Sequence, residues 1–307
     1  MANPTISSVH VPTVLDPAKS EIFYDGFVSE EVEWPELFLA LGTDSATIEK
    51  ASLLPPGSYN AAVQGDDIPT MPLEDGVAVT YTLAEFTIGY EIAAFAWRFL
   101  RTKPEVGDFI RQIGLSAMRR INQICMTVIS GGFTVNGPDG VPLYSNSHDR
   151  GDGSGTLVDN LGTTALDVDA IEATMIAGMQ MVSPEGLIAP VYYDTICCAV
   201  GNFFTANQSV TMALKNDVDG TAVRQTHTPN TAGRRVARVI ATPEFTDSND
   251  WEMFCSSGWR GEAYFAQAPN PKAWEDPDSG NYKVTDRIIV VAGHRNSWRH
   301  TYGHRVA

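Results

Sequence analysis

Basic residues are nearly missing from the first third of this 307-residue chain. Residues 1–97 carry Lys19 and Lys50 against fifteen acidic side chains, a net −13, and the remaining 210 residues carry −3 of the total −16. So acidic a segment does not lie along a nucleic-acid backbone, whose binders present clustered Lys and Arg; it stays solvated or meets a basic surface on another subunit. Long apolar runs are also lacking. No stretch has the length needed to span a bilayer, and the start, Met1-Ala-Asn-Pro-Thr5, has neither the basic opening nor the apolar centre of a signal peptide, so a protein made and kept in a cytoplasm is expected. Cysteine is limited to Cys125, Cys197, Cys198 and Cys255, with no Cys-X-X-Cys or Cys/His spacing, which argues against zinc and leaves core packing as their expected role. No Gly-rich phosphate loop, dinucleotide fingerprint or Gly-X-Ser-X-Gly elbow occurs, nor any internal repeat. At 43% hydrophobic and 19% charged residues the chain is not disordered, and its length allows one large domain or two modest ones.

The most informative stretch runs from Pro104 to Leu161. Pro104 suits a first helical turn, and Glu105 and Asp108 suit the positive end of the helix dipole. Val106, Phe109, Ile110, Ile113, Ala117, Ile121, Ile124, Cys125 and Val128 then recur at steps of three and four, one stripe on a helix of 104–130. Arg111, Gln112, Arg119, Arg120, Asn122 and Gln123 take much of the opposite side. At 1.5 Å per residue such a helix is about 40 Å long, suited to a strut. Gly131-Gly132 stops it, and Phe133-Thr-Val-Asn-Gly-Pro-Asp139-Gly-Val-Pro-Leu-Tyr-Ser145-Asn-Ser-His148 leads into a glycine-rich run ending at Asn160-Leu161.

Around it, residues 1–45 read as an extended arm with prolines at 4, 12, 17 and 35, whose anchors Phe23, Tyr24, Phe27, Trp34, Leu37 and Phe38 need a neighbour to bury them. Ala51 to Ile92 reads as a long β-hairpin with a polar tip at 64–70. On its return side Val77, Val79, Tyr81 and Leu83 alternate, then the phase slips to Phe86, Ile88, Tyr90 and Ile92, marking a bulge or bend at Ala84-Glu85. A helix is expected over 167–182, capped by Asp167, with Ile171, Met175 and Met179 on its apolar face and ended by Ser183-Pro184-Glu-Gly186. Leu187–Tyr193 reads as a buried strand, 194–206 as a helix, and 207–235 as a polar loop. Strands follow at 236–242, 287–292 and 298–302, with a Pro-rich turn region at 268–280.

Four sets of residues tempt a chemical reading. Ser145, Ser147, His148 and Asp149 are triad residue types, but a triad is drawn from distant parts of a chain, and short polar side chains in a turn are the ordinary reading. Arg150-Gly151-Asp152 matches an integrin-binding tripeptide within plain turn composition. Asp217-Val-Asp219-Gly220 and Asp276-Pro-Asp278-Ser-Gly280 hold fragments of a calcium loop without its ligand spacing or final Glu. His294, Arg295, Arg299, His300, His304 and Arg305, interleaved with Trp298 and Tyr302, make the carboxyl end basic; we read them as a strand whose basic face meets acidic neighbours, over a DNA-binding tail. No catalytic, cofactor-binding or metal-binding residue is assigned, and no cofactor is expected.

The helix, its double-glycine stop, the Asp139-Gly-Val-Pro-Leu-Tyr-Ser-Asn-Ser-His148 segment, the glycine-rich run and Asn160-Leu161 together resemble the major capsid proteins of tailed bacteriophages, clearest over 79–200. The resemblance implies an α+β chain of the Hong Kong 97 capsid fold. It implies an N-terminal arm at 1–49 and an extended β-hairpin loop at 50–92. It also implies a peripheral domain of 93–134 and 246–307 with spine helix 104–130, and an axial domain at 135–245. It implies a structural, non-enzymatic subunit that builds hexamers and pentamers of an icosahedral virion head around double-stranded DNA, assembled in a bacterial cytoplasm. Expected partners are copies of itself, with scaffolding, portal and decoration proteins; DNA is enclosed without sequence-specific binding, and no membrane is involved. A cargo-enclosing nanocompartment shell is the alternative within the same fold, and a hydrolase the distant one. The chain departs from the family's pattern in having Val191-Tyr-Tyr-Asp194 where many relatives have Val-Pro-Pro, and in lacking a recognisable cleavable scaffolding region. Some relatives crosslink a loop lysine to a neighbour's asparagine; Lys50 is the lysine near the loop here, with no matched partner. Arg111, Arg119, Arg120 and the basic carboxyl end are the cations available to the acidic arm.

Overall fold

The computed structural model describes residues 13–14, 17–29, 31–53, 75–100, 104–151, 154–183, 186–212, 214–218, 225–245 and 247–306. Helices and strands are mixed, and the chain forms two compact units. One comprises Met1–Ile48, Tyr81–Cys125 and Glu262–Gly293; the other comprises Glu49–Thr80, Met126–Gly261 and His294–Ala307. These units cut the chain elsewhere than the four expected parts do: 246–261 and 294–307 cluster with 126–245. Among the described residues no helix is long and apolar enough to cross a membrane.

The long helix is Pro104–Ser130, as its periodicity requires. Ile110, Ile113, Ala117, Ile121 and Cys125 are buried on its stripe, joined by Met126 and Ile129, which lie one helical step outside the pattern read from the sequence. In the first unit this stripe has a partner that the sequence reading missed. Residues 17–29, expected to be extended, form a helix opened by Pro17. Gly26 and Gly114 let the two helices approach, since a Cβ on Gly26 would overlap the carbonyl oxygen of Arg111 and one on Gly114 that of Phe23. Phe23 is thereby fully buried, and Leu37 and Phe38 are buried as well. Three of the six arm anchors are thus buried by the chain itself, while Phe27 and Trp34 are half-buried and Tyr24 stays exposed.

Asn122, placed on the polar side by periodicity, is buried. Its Oδ1 accepts from the backbone N–H of Glu33 (3.2 Å) and Trp34 (3.0 Å), and its Nδ2 donates to Glu33 Oε2, which fixes the start of the short helix Trp34–Leu37. The six-stranded sheet of this unit is built on Tyr282–His294, with Tyr282, Val284, Ile288 and Val290 buried in alternation. Ala84–Ile92 runs antiparallel to it, Tyr282 opposite Ile92 and Val290 opposite Ala84. Trp97 stacks on Tyr282 at 3.7 Å and donates its indole N–H to Glu275.

The phase slip at Ala84-Glu85 has a clear cause. Asp75–Thr82 pairs with Thr47–Leu53 as a two-stranded sheet, and after Leu83 the chain enters the six-stranded one, so the core-facing side changes between sheets. The hairpin tip at 64–70 lies outside the described residues.

The second unit centres on a five-stranded sheet in the order Arg238–Thr242, Thr195–Ala199, Trp251–Phe254, Thr301–His304, Leu161–Gly162. Here the sequence reading is corrected in several places. Residues 195–199 are a strand, not a helix, as the run Thr195-Ile-Cys-Cys-Ala199 buried on both faces favours; the helix begins later, at Phe203–Thr211. Residues 187–193 are not a buried strand: a single bridge joins Val182 and Ile188, and Ile188 is 75% exposed. The expected loop 207–235 contains the rest of that helix and an antiparallel pair, Leu214–Val218 with Gln225–Pro229. Strand Trp251–Phe254 was not foreseen. The helix at Val168–Met179 is capped by Asp167, whose carboxylate accepts from Ala170 N–H at 2.7 Å; Ile171 and Met175 are buried, but Met179 is exposed.

Candidate interaction surfaces

The Asp139–His148 segment folds as a clasp. Asp139 sits within the turn from Gly137 to Gly140, the latter at φ +85°, and its Oδ2 lies 2.7 Å from Nδ1 of the fully buried His148. Nε2 of His148 faces the carbonyl of Leu143 at 3.1 Å, and the ring stacks on Trp298 at 4.3 Å. Both ring nitrogens are therefore engaged, and the acidic partner is Asp139, not Asp149. Ser145 and Ser147 bond to each other through their hydroxyls at 2.9 Å, with the Ser147 N–H donated to Ser145 Oγ, a local turn. The structure does not assemble the triad residue types into a catalytic arrangement.

Asn160 is the second fixed point. Fully buried, it accepts the Ser145 N–H at 2.8 Å and turns its amide towards the carbonyls of Leu143 (2.8 Å), Trp298 (3.1 Å) and Thr301 (3.3 Å). One side chain thus ties the loop after the long helix to the carboxyl-terminal strand. Gly132 and Gly303 leave room for the Tyr144 ring, whose hydroxyl donates to the buried Glu252 carboxyl. Burial pushes Glu252 well above the usual carboxylate range.

The basic carboxyl end is no tail. His304 stacks on Trp251 at 4.0 Å and its Nε2 lies 2.7 Å from Thr174 Oγ1; His294 is buried near Trp259. Burial pulls both histidines down to about 4, and at His294 it outweighs the opposing charge of Asp139. Arg299 donates to the Arg150 carbonyl at 2.6 Å. Gly151 is in a left-handed turn at φ +90°, and Asp152 lies outside the described residues. Asp276 is paired with Lys283 at 2.7 Å, which, with the Asp278 N–H, holds its carboxyl down at about 2. Asp219 and Gly220 lie outside the described residues, among which no cluster of three or more His, Cys, Asp or Glu could hold a metal. All four cysteines are buried free thiols, with Cys125 and Cys198 raised to about 12 by burial. On the long helix, Arg111 meets Asp25 at 3.4 Å, and Arg120 lies over the Phe86 ring at 4.5 Å.

What remains for a partner is surface. In the first unit Phe95, 79% exposed, and Phe99 stand with rings 5.0 Å apart on the helix Ala94–Leu100. In the second, Val200, Phe203, Phe204 and Met212 are exposed around one helix, and Ile176, Met179, Leu187 and Ile188 around the end of another. The second unit also contains a cleft of about 1240 Å³. Arg150, Arg235, Arg260, Arg295, Arg299 and His300 line it against Asp139, Asp149 and Asp194. Burial first, then the charges of Arg260 and Arg299, lower the pKa of His300. These surfaces escaped sequence reading because the exposed apolar residues follow no period and the arginines come from four separate segments.

Comparison with known proteins bears on surfaces of this kind. A family model described as phage capsid protein matches residues 76–303. No curated protein matches. Solved structures do: the capsid of the cyanophage P-SCSP1u, at 10% identity and a TM-score of 0.56, covers 100% of this chain and 95% of its own. One from Mycobacterium phage Adephagia, at 12% identity and TM-score 0.54, covers 100% and 99%. A virus-like particle from Pyrococcus furiosus, at 8% identity and TM-score 0.51, covers 93% and 96%. At these identities the likeness is one of fold.

Proposed function

Because this chain belongs to the phage capsid protein family, we propose that it is the major subunit of an icosahedral phage head, self-assembling into hexamers and pentamers that enclose double-stranded DNA. The observation that carries the reading is the family match over 76–303, about three quarters of the chain. The surfaces agree with it. Phe95, Phe99, Phe204 and Ile188 are exposed in patches, and covering one such side chain stabilises by roughly 2 kcal/mol, repeated at every subunit of a closed shell. As a structural capsid subunit it works through interfaces. In the proposed particle residues 1–49 serve as arm, 50–92 as extended loop, 93–134 with 246–307 as peripheral part around the spine helix, and 135–245 as axial part. Scaffolding, portal and decoration proteins are the proposed partners, and assembly takes place in the host cytoplasm.

The test is assembly of the purified full-length chain, alone and with a scaffolding protein supplied, followed by light scattering and electron microscopy. Closed shells with five- and six-fold capsomers are expected. A strictly monomeric species at high concentration under both conditions overturns the proposal.

A further inference from the structure

We propose that the arginine-lined cleft of the second unit is a binding site for inorganic phosphate, formed by the turn 295–300 together with Arg235 and Arg260. The proposal does not rest on the assembly reading above.

The turn carries groups that the chain leaves unmet. His294 Nδ1, Asn296 Oδ1, Ser297 Oγ and His300 Nδ1 are buried atoms that make no hydrogen bond among the described residues, and the last three belong to residues lining the cleft. Buried polar atoms are ordinarily paired, so unmet ones crowded into seven residues call for a partner from outside the chain. The turn is pinned in this form. Asn160 donates to its Trp298 carbonyl, the Cys255 N–H donates to the His300 carbonyl at 2.9 Å, and the His300 N–H donates to the Ser297 carbonyl at 2.9 Å. Asn296 is the one non-glycine residue among those described with a left-handed backbone, at φ +39°, a conformation kept where the surroundings impose it.

The charge around these groups selects an anion. Five arginines line the cleft against three aspartates, a surplus of two positive charges in a chain of net −16. Arg235 and Arg260 are exposed and make no ion pair among the described residues; the first lies over the Tyr192 ring at 4.9 Å, and the second donates to the carbonyls of Ser257 and Trp259. The three aspartates already have partners: Asp139 has His148, Asp149 accepts from the Gly151 N–H at 2.8 Å, and Asp194 accepts from the Ser256 N–H, the Ser256 hydroxyl and the Thr195 hydroxyl.

The mix of donors and acceptors selects among anions. The Ser297 hydroxyl, the His300 imidazole and the arginines can donate, whereas Asn296 Oδ1 only accepts. Inorganic phosphate near neutral pH accepts on its bare oxygens and donates from the O–H it retains. Sulfate, a carboxylate and a phosphodiester present bare oxygens alone and leave the Asn296 oxygen unmet. At about 1240 Å³ the cleft admits the ion with its waters.

Equilibrium dialysis of the full-length chain against radiolabelled inorganic phosphate, in chloride buffer of fixed ionic strength near neutral pH, tests the site. A single saturable site per chain is expected, for which sulfate competes at least tenfold less well. Arg235→Gln with Arg260→Gln, both exposed, should weaken binding at least tenfold while the chain stays folded, and Ser297→Ala should do the same. Asn296→Gly, which suits the left-handed backbone, should bring phosphate down to the affinity of sulfate. Circular dichroism checks the fold of each variant; if Ser297→Ala does not fold, the exposed arginine pair decides the matter. Because a ligand of the folded form adds to its stability, phosphate should also slow hydrogen exchange over 295–300, a protection that the arginine variant loses. Three results overturn the proposal: no saturable binding above the chloride background, binding indifferent to the arginine pair, or displacement of phosphate by sulfate or a short DNA duplex at an equal concentration of anionic groups.

Discussion

The interior of the first unit is mostly aliphatic and aromatic, whereas that of the second is threaded with polar side chains. Ile110, Ile113, Ile121, Phe23 and Val290 fill the first, with Asn122, Glu262 and Asp286 as its buried polar exceptions. The second buries His148, Asn160, Thr174, Glu252, Thr301 and His304 at 3% exposure or less. An apolar core is specified by volume and pattern; a polar one is specified by direction, since each donor must meet its acceptor. The two units should therefore fail under different insults.

The largest effect expected is from Ile121→Asp. It places a carboxylate with no partner at a fully buried position of the stripe, at a cost of several kcal/mol, comparable to the whole stability of a domain. Soluble yield and circular dichroism should collapse, while Gln112→Ala on the exposed face should leave both unchanged. Equal yields for Ile121→Asp and wild type would show that the stripe does not carry the first unit.

Next is Asn160→Leu, nearly isosteric and harmless in an apolar core. Here it strips partners from the Ser145 N–H and from the carbonyls of Leu143, Trp298 and Thr301. With each abandoned group costing about 1–3 kcal/mol, a loss on the order of 4 kcal/mol is expected in urea unfolding. Hydrogen exchange should rise over 143–161 and 298–304 and not over 104–125. A variant as stable as wild type would show that the second unit is held by shape after all.

Acidification separates the units further. His294 and His304 have an ordinary value of 6.5 and are held at about 4, so the unfolded chain binds their protons first. A depressed pKa contributes stability that is present above about pH 6.5 and lost as pH falls towards 4. At about 1.4 kcal/mol per pH unit, each histidine costs roughly 3 kcal/mol by pH 4. Hydrogen exchange at pH 7 and pH 4.5, corrected for intrinsic rate, should show added opening in 251–254 and 301–304. Unchanged protection there would mean that the two rings take up protons without leaving their sites.

The same contrast explains what was legible in the sequence. The long helix, the sheet change at Ala84-Glu85 and the Asp167 cap follow from local pattern, and local pattern is what one sequence displays. The helix at 17–29 was hidden because its mate is a glycine contact across 88 positions, Gly26 on Gly114, which leaves no periodic mark. The strand at 195–199 was misread because a run buried on both faces has no alternation to distinguish it from a buried helix. The Asp139–His148 segment could be recognised as a family run, but its physical role, a clasp closed on Trp298 from 150 positions away, could not be inferred from spacing. The arginine cleft was least legible, because it gathers residues from 150 to 300 that only the fold brings together.

The smallest expected effect is also the one that reverses sign. Glu252 is fully buried; Tyr144 donates to its Oε2, while Oε1 makes no hydrogen bond among the described residues. Burial raises its pKa, so above about pH 4.5 the unfolded chain releases a proton that the folded one retains, and stability falls as pH rises towards the folded pKa. Glu252→Gln keeps the acceptor for Tyr144 and abolishes that release, but leaves an amide donor without a partner. At pH 8 the variant should melt on the order of 2–4 °C above wild type, because the ionisation penalty outweighs the unmet amide. At pH 4, where neither form of wild type ionises fully, the amide is what remains and the variant should melt below wild type. Melting curves of both proteins across this range, followed by tryptophan fluorescence, should therefore cross. Parallel curves would mean that Glu252 is ionised in the folded protein, and that the second unit holds a buried charge where a neutral acid is argued.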